Sequence, residues 1–160
     1  MKKILLSVLV CIFLLVGCNS EPKKTAADFA KEYEVSEDVK VKYLSTNQLD
    51  DVFKGTHVTL VTTNKYKEAV QVLCQEVDKY DGLYIYYLNS KDMKDRGVSM
   101  DINDIKDVHN FIAFVKESDI VDYINLDDFV FSDKENLAFI YDVILDSITR
   151  DLKPGCSDGC

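Results

Sequence analysis

Sulfur is the first place to look for chemistry in this chain of 160 residues. The cysteines are Cys11, Cys18, Cys74, Cys156 and Cys160. Cys156 and Cys160 form a Cys-x-x-x-Cys pair in a Gly-containing C-terminal stretch. An exposed pair of this kind can exchange disulfides with a partner. It can equally hold an idle local disulfide or pair with another chain. Nothing near the pair activates a thiolate, and two sulfurs without a histidine fall short of a structural zinc site. Cys74 falls on the apolar face of a predicted helix, where a thiol behaves as a small hydrophobe. His57 and His109 are the only histidines, and a single histidine at a strand start usually satisfies a hydrogen bond or faces solvent. Asp101 to Asp107 resembles a calcium loop superficially, but Ile105 and Lys106 stand where a ligand and the turn glycine are needed. No Gly-rich phosphate loop, His-Glu-x-x-His or Gly-x-Ser-x-Gly occurs. No cofactor and no metal is expected.

The N-terminus carries a different kind of information. Lys2 and Lys3 precede an apolar run from Ile4 to Val16, and Gly17 and Cys18 follow. The run is too short for a spanning helix, which needs about 20 apolar residues, and has the three parts of a secretory signal. Leu15-Val16-Gly17-Cys18 resembles the lipobox of a bacterial lipoprotein. The resemblance implies that Cys18 becomes the first residue of the mature chain and carries the lipid. The protein would then be anchored to the membrane rather than span it. Loss of Lys2 and Lys3 lowers the basic count from 19 to 17 against 28 acids, a net charge of −11. That charge argues against nucleic acid as a partner and against docking through a basic patch. Cys11 leaves with the signal and Cys18 is consumed by lipid. Cys74, Cys156 and Cys160 remain, in a compartment that permits disulfides.

Residues 1–17 thus read as a signal peptide, 18–37 as a lipidated N-terminus and tether, 38–152 as one domain and 153–160 as a Cys-containing tail. Asp28 to Tyr33 can begin a short helix. Val39, Val41 and Tyr43 alternate with charge, as in a half-buried strand. Thr46 can cap a short helix bearing Leu49, Val52 and Phe53, stopped by Gly55. His57 to Thr62 is β-branched and mostly apolar, a central strand. Asn64 to Tyr80 places Tyr66, Ala69, Val70, Leu73, Cys74, Val77 and Tyr80 on one helical face. Leu83 to Leu88 reads as a strand buried on both faces. One helical turn is expected near Lys91–Arg96 and another near Asn103–Asp107. Phe111–Val115 and Ile120–Ile124 form a hairpin. Ser132 and Glu135 make a capping box before a long helix.

The fold class is therefore α/β, a central mixed sheet flanked by helices. This order of elements resembles the thioredoxin fold over most of Val39 to Leu152. Thr46 to Gly55 followed by a hydrophobic strand looks like that family's first helix and central strand. Val108-His109-Asn110-Phe111 looks like the segment where the family carries Val-Pro-Thr. Active members place a Cys-x-x-Cys where the central strand enters the next helix, because a helix N-terminus stabilises a thiolate. Here the junction reads Thr62-Thr63-Asn64-Lys65-Tyr66, without sulfur. His109 stands where the family's cis-proline is expected.

The resemblance implies a degenerate, non-catalytic thioredoxin-like module with a groove lined by Thr62, Thr63, Asn64, Lys65 and His109. The expected partners are the membrane, through the lipid, and an extracytoplasmic protein or peptide. The alternative is a thiol–disulfide oxidoreductase working through Cys156 and Cys160.

Overall fold

The computed structural model describes residues 24–45, 48, 52–95, 100–102, 105–128 and 134–150. The segment expected to be a signal peptide, Cys18, the expected caps Thr46 and Ser132 and the tail with Cys156 and Cys160 lie outside them.

The first element is α1 (Ala26–Tyr33). Thr25 caps it: its hydroxyl accepts the Asp28 N–H, while the Asp28 carboxylate accepts the Thr25 N–H at 2.7 Å. Two otherwise orphaned donors are satisfied this way. Phe29 and Tyr33, one turn apart, are fully buried in the main core. The tether expected over 18–37 therefore does not run that far. The pair Phe29/Tyr33 makes α1 part of the folded body.

Five strands build the main sheet: β1 (Val41–Tyr43), β2 (His57–Thr62), β3 (Ile85–Asn89), β6 (Phe111–Lys116) and β7 (Asp119–Asn125). Their order is β1-β3-β2-β6-β7. β1, β3 and β2 run parallel, while β6 and β7 are antiparallel. The sheet is mixed, as expected. The parallel strands need crossovers, and α2 (Lys67–Asp78) supplies the one between β2 and β3. Glu117 and Ser118 close the β6–β7 hairpin, both with positive φ. Two such residues give a turn whose twist suits a two-residue hairpin loop. Ser118 is held there by Gly55, whose N–H donates to the Ser118 hydroxyl at 3.0 Å.

One face of the sheet is covered by α1, α2 and α4 (Lys134–Thr149). α4 buries Leu137, Tyr141, Leu145 and Ile148, as its periodicity predicts. It runs alongside α2 in the same direction: Lys134 pairs with Glu68 at 3.6 Å, and the Tyr80 hydroxyl donates to Asp142 at 3.2 Å. The other face is thinner. Val52, Met93 of α3 (Ser90–Asp95), Val61, Leu88, Phe111 and Ala113 form its core.

Two expectations need correction. Asn103–Asp107 is not a helical turn over its described part. β5 (Ile105–Val108) pairs with β4 (Met100–Ile102) in a separate two-stranded sheet. Cross-strand pairing overrides the weak local preference of so short a segment. The stretch Leu83–Leu88 is also not buried throughout, since Tyr84 is 39% exposed. Its cover is the Lys42 ammonium, 4.1 Å from the ring centre.

His57 is more buried than a strand-start histidine need be. Its ring stacks on Tyr86 at 4.2 Å, and Nε2 lies 2.5 Å from the Val52 carbonyl. Burial pushes its pKa down, so the ring is a neutral tie between β2 and the preceding turn.

Replacing Phe29 with Ala is expected to cost about 3–5 kcal/mol, the range for a large buried aromatic. Urea unfolding measures it. A loss under 1 kcal/mol would return α1 to the tether.

Candidate functional site

The sheet ends in a polar cluster at the point where β2 leaves the core. Thr62 is the last residue of β2 and is fully buried. The register that pairs Val61 with Phe111 brings Thr62 beside Asn110. Thr63 then caps a 3-10 turn, Asn64–Tyr66, its hydroxyl accepting the Lys65 N–H at 3.5 Å. α2 follows directly. The residues expected to line a groove are thus brought to one end of the sheet. They are not equivalent there. Asn64 and Lys65 are exposed, Thr63 and His109 are half-buried, and Thr62 offers no open surface.

Asp127, just past β7, organises this end. Its carboxylate accepts the Asn110 amide at 2.8 Å and the Tyr66 hydroxyl. Lys65 Nζ lies 3.6 Å from it and donates to the Tyr66 oxygen at 2.8 Å. The Ser90 hydroxyl donates to the Asn110 side-chain carbonyl at 3.2 Å. Five side chains from four parts of the chain therefore close one network. Partial burial alone would raise the Asp127 pKa. The hydrogen bonds from Asn110 and Tyr66 and the Lys65 charge outweigh it and hold the carboxyl below its ordinary value. Tyr66 moves the other way, raised first by burial and then by its bond to Asp127. A phenol that donates to a carboxylate is no nucleophile at neutral pH.

A second network supports the first from beneath. The Tyr33 hydroxyl meets that of Tyr87 at 3.0 Å, and Tyr87 donates to the Thr62 carbonyl at 3.3 Å. The end of β2 is thereby fixed on both sides. His109 is the exception. Its Nδ1 is buried without a hydrogen-bond partner.

No cysteine lies at this end among the described residues. Cys74 sits more than a turn further along α2 and is buried, as its place on the apolar face predicts. Burial pushes its thiol up to about 12. It borders a separate cavity of about 480 Å³ between α2 and the segment 34–40, with Val35, Val39 and Val77 among its walls. No cluster of metal-ligating side chains occurs among the described residues.

Sequence reasoning places Tyr66 and Asn110 within the segments lining the groove but misses Asp127 and the bonds that join it to them. Tyr66 reads as one more apolar residue of the helix face. Asp127 lies some sixty residues from its partner, and nothing local marks it. No protein-family model matches the chain, and no curated protein matches it.

The carboxyl of Asp127 is expected to titrate below about 3.9, its unperturbed value, and to move back toward it in Asn110→Ala. A depressed carboxyl stabilises the fold above the unfolded value and loses that contribution as pH falls through its folded value. Carbon-detected NMR titration reads the shift. An unshifted Asp127 would break the network. In a Cys156→Ser/Cys160→Ser background, Cys74 should resist a thiol reagent at pH 8 until denaturant is added. Rapid labelling of the native protein would contradict its burial.

Proposed function

We propose that this chain is a membrane-anchored extracytoplasmic lipoprotein. Its body is a degenerate thioredoxin-like module that binds rather than catalyses. The strand order β1-β3-β2-β6-β7, with three parallel strands and an antiparallel hairpin, supports the thioredoxin-like reading. The lipobox-like Leu15-Val16-Gly17-Cys18 supports the anchor. Among the described residues no helix is long and apolar enough to cross a membrane.

One observation carries the binding reading. The β2–α2 junction, where the family's dithiol would sit, holds Thr63, Asn64, Lys65 and Tyr66. Its Tyr66 hydroxyl is already committed to Asp127. The junction has exposed polar groups, Asn64 and Lys65, which suit a ligand's hydrogen bonds. It has no nucleophile that burial or a neighbouring base activates. Strand ends and helix starts converge there, as in other open α/β sheets that bind ligands.

Two experiments test the halves of the proposal separately. Metabolic labelling with a clickable fatty acid should mark the wild-type chain and not Cys18→Ser. Equal labelling of both would remove the anchor. Disulfide exchange on a model substrate should be absent in the wild type. Exchange that disappears in Cys156→Ser or Cys160→Ser would replace the binding reading with an oxidoreductase working from the tail.

A further inference from the structure

The outer face of α4 is more apolar than the core requires. Leu137, Tyr141, Leu145 and Ile148 already supply the buried stripe. Ile140 and Ile144, next around the helix, are only partly covered. Beyond them Phe139 and Val143, one turn apart, are 69% and 52% exposed. At about 100° per residue, apolar side chains occupy roughly two-thirds of the circumference. An amphipathic surface helix needs a stripe little wider than about 100°. The surplus is a solvent-facing strip of Phe139 and Val143, continuous with Ile140 and Ile144.

The strip has an acidic border. Asp142, Asp146 and Glu135 follow Phe139 on the side away from Ile140. Asp142 is exposed and accepts the Tyr80 hydroxyl at 3.2 Å. Asp146 lies 3.8 Å from Arg150, and the Lys79 ammonium feels the charge of Asp142, two cations against the three acids. The border is thus net negative, on a chain that is itself strongly acidic.

We propose that this strip docks a cationic amphipathic helix, its apolar side on Phe139 and Val143 and its lysines or arginines over Asp142 and Asp146. Charge decides between the possible occupants. A second copy packed about a two-fold axis would set the acidic border against itself. An anionic bilayer surface would meet the same repulsion. A basic helix meets an opposite charge and an apolar strip together, the two features that an amphipathic helix presents. The surface is distinct from the β2–α2 junction, and the proposal does not depend on what binds there.

The test uses the full chain in nanodiscs of zwitterionic lipid, with empty discs as the blank. The probe is a labelled 18-residue helix of leucine and lysine with the leucines on one face, read by fluorescence anisotropy. Phe139→Ser/Val143→Ser should weaken binding about tenfold or more, as loss of an aromatic anchor does. The positions are exposed, so an unchanged unfolding midpoint checks the fold. Asp142→Asn/Asp146→Asn should weaken binding and flatten its salt dependence. Glu37→Gln/Asp38→Asn, with the same change in charge elsewhere, should leave it intact. Three results would overturn the proposal. One is undiminished binding by Phe139→Ser/Val143→Ser. Another is crosslinking between two chains that the same variant abolishes. The third is broadening of the Phe139 and Val143 NMR signals by spin-labelled lipid.

Discussion

β2 has no wet side. All six of its residues are buried, hydrogen-bonded to β3 along one edge and to β6 along the other. A strand in that position must satisfy every polar group it carries inside the protein, because unpaired polar groups in the interior are costly. His57, Thr59 and Thr62 are polar, and each is bonded locally, save the Nδ1 of His57, which is buried without a hydrogen-bond partner. His57 and Thr59 share the Val52 carbonyl, the threonine donating at 2.7 Å. That shared acceptor draws the preceding turn against the sheet. Thr62 donates to its neighbour's carbonyl and has its own carbonyl taken by Tyr87. The layers of the fold assemble around these obligations as much as around apolar area.

The same constraint explains the character of the candidate site. Where β2 emerges, the chain must pass from complete burial to an exposed helix start within a few residues. The 3-10 turn makes that change, and Asp127 reaches over from beyond β7 to steady it. A carboxylate holding a phenol, an amide and an ammonium is well satisfied. Satisfied groups hold a shape better than they start a reaction. What this end leaves at the surface is the pair Asn64 and Lys65.

Much of this architecture was legible in the sequence because it rests on periodicity. β2, α2, the β6–β7 hairpin and α4 all carry apolar patterns strong enough to fix their type and their inner face. Ser90–Asp95 also forms its expected turn of helix. What escaped was set by distant partners. β4 and β5 are too short to announce themselves, and each is a strand only because the other is. Phe29 and Tyr33 sit in a charged, lysine-bearing stretch whose composition suggests a tether. Their role appears only when Tyr87 and Tyr43 stand opposite, the rings 5.0 to 6.3 Å away from Phe29. The Asp127 network joins residues that no local pattern connects. The absence of sulfur from the β2–α2 junction, by contrast, was plain from the residues alone.

The hydroxyl relay beneath Thr62 also sets a limit in alkali. Tyr33, Tyr87 and Tyr141 have their phenols pushed far above the ordinary value, chiefly by burial. In the unfolded chain the same phenols ionise near 10. Below that pH the buried neutral rings favour the fold in full. Above it the unfolded chain gains by shedding protons that the folded one must keep, and stability drains away. Tyrosinate absorbs where tyrosine does not, and the chain has no tryptophan to mask it. The collapse of the core in base would thus be written in the protein's own ultraviolet spectrum.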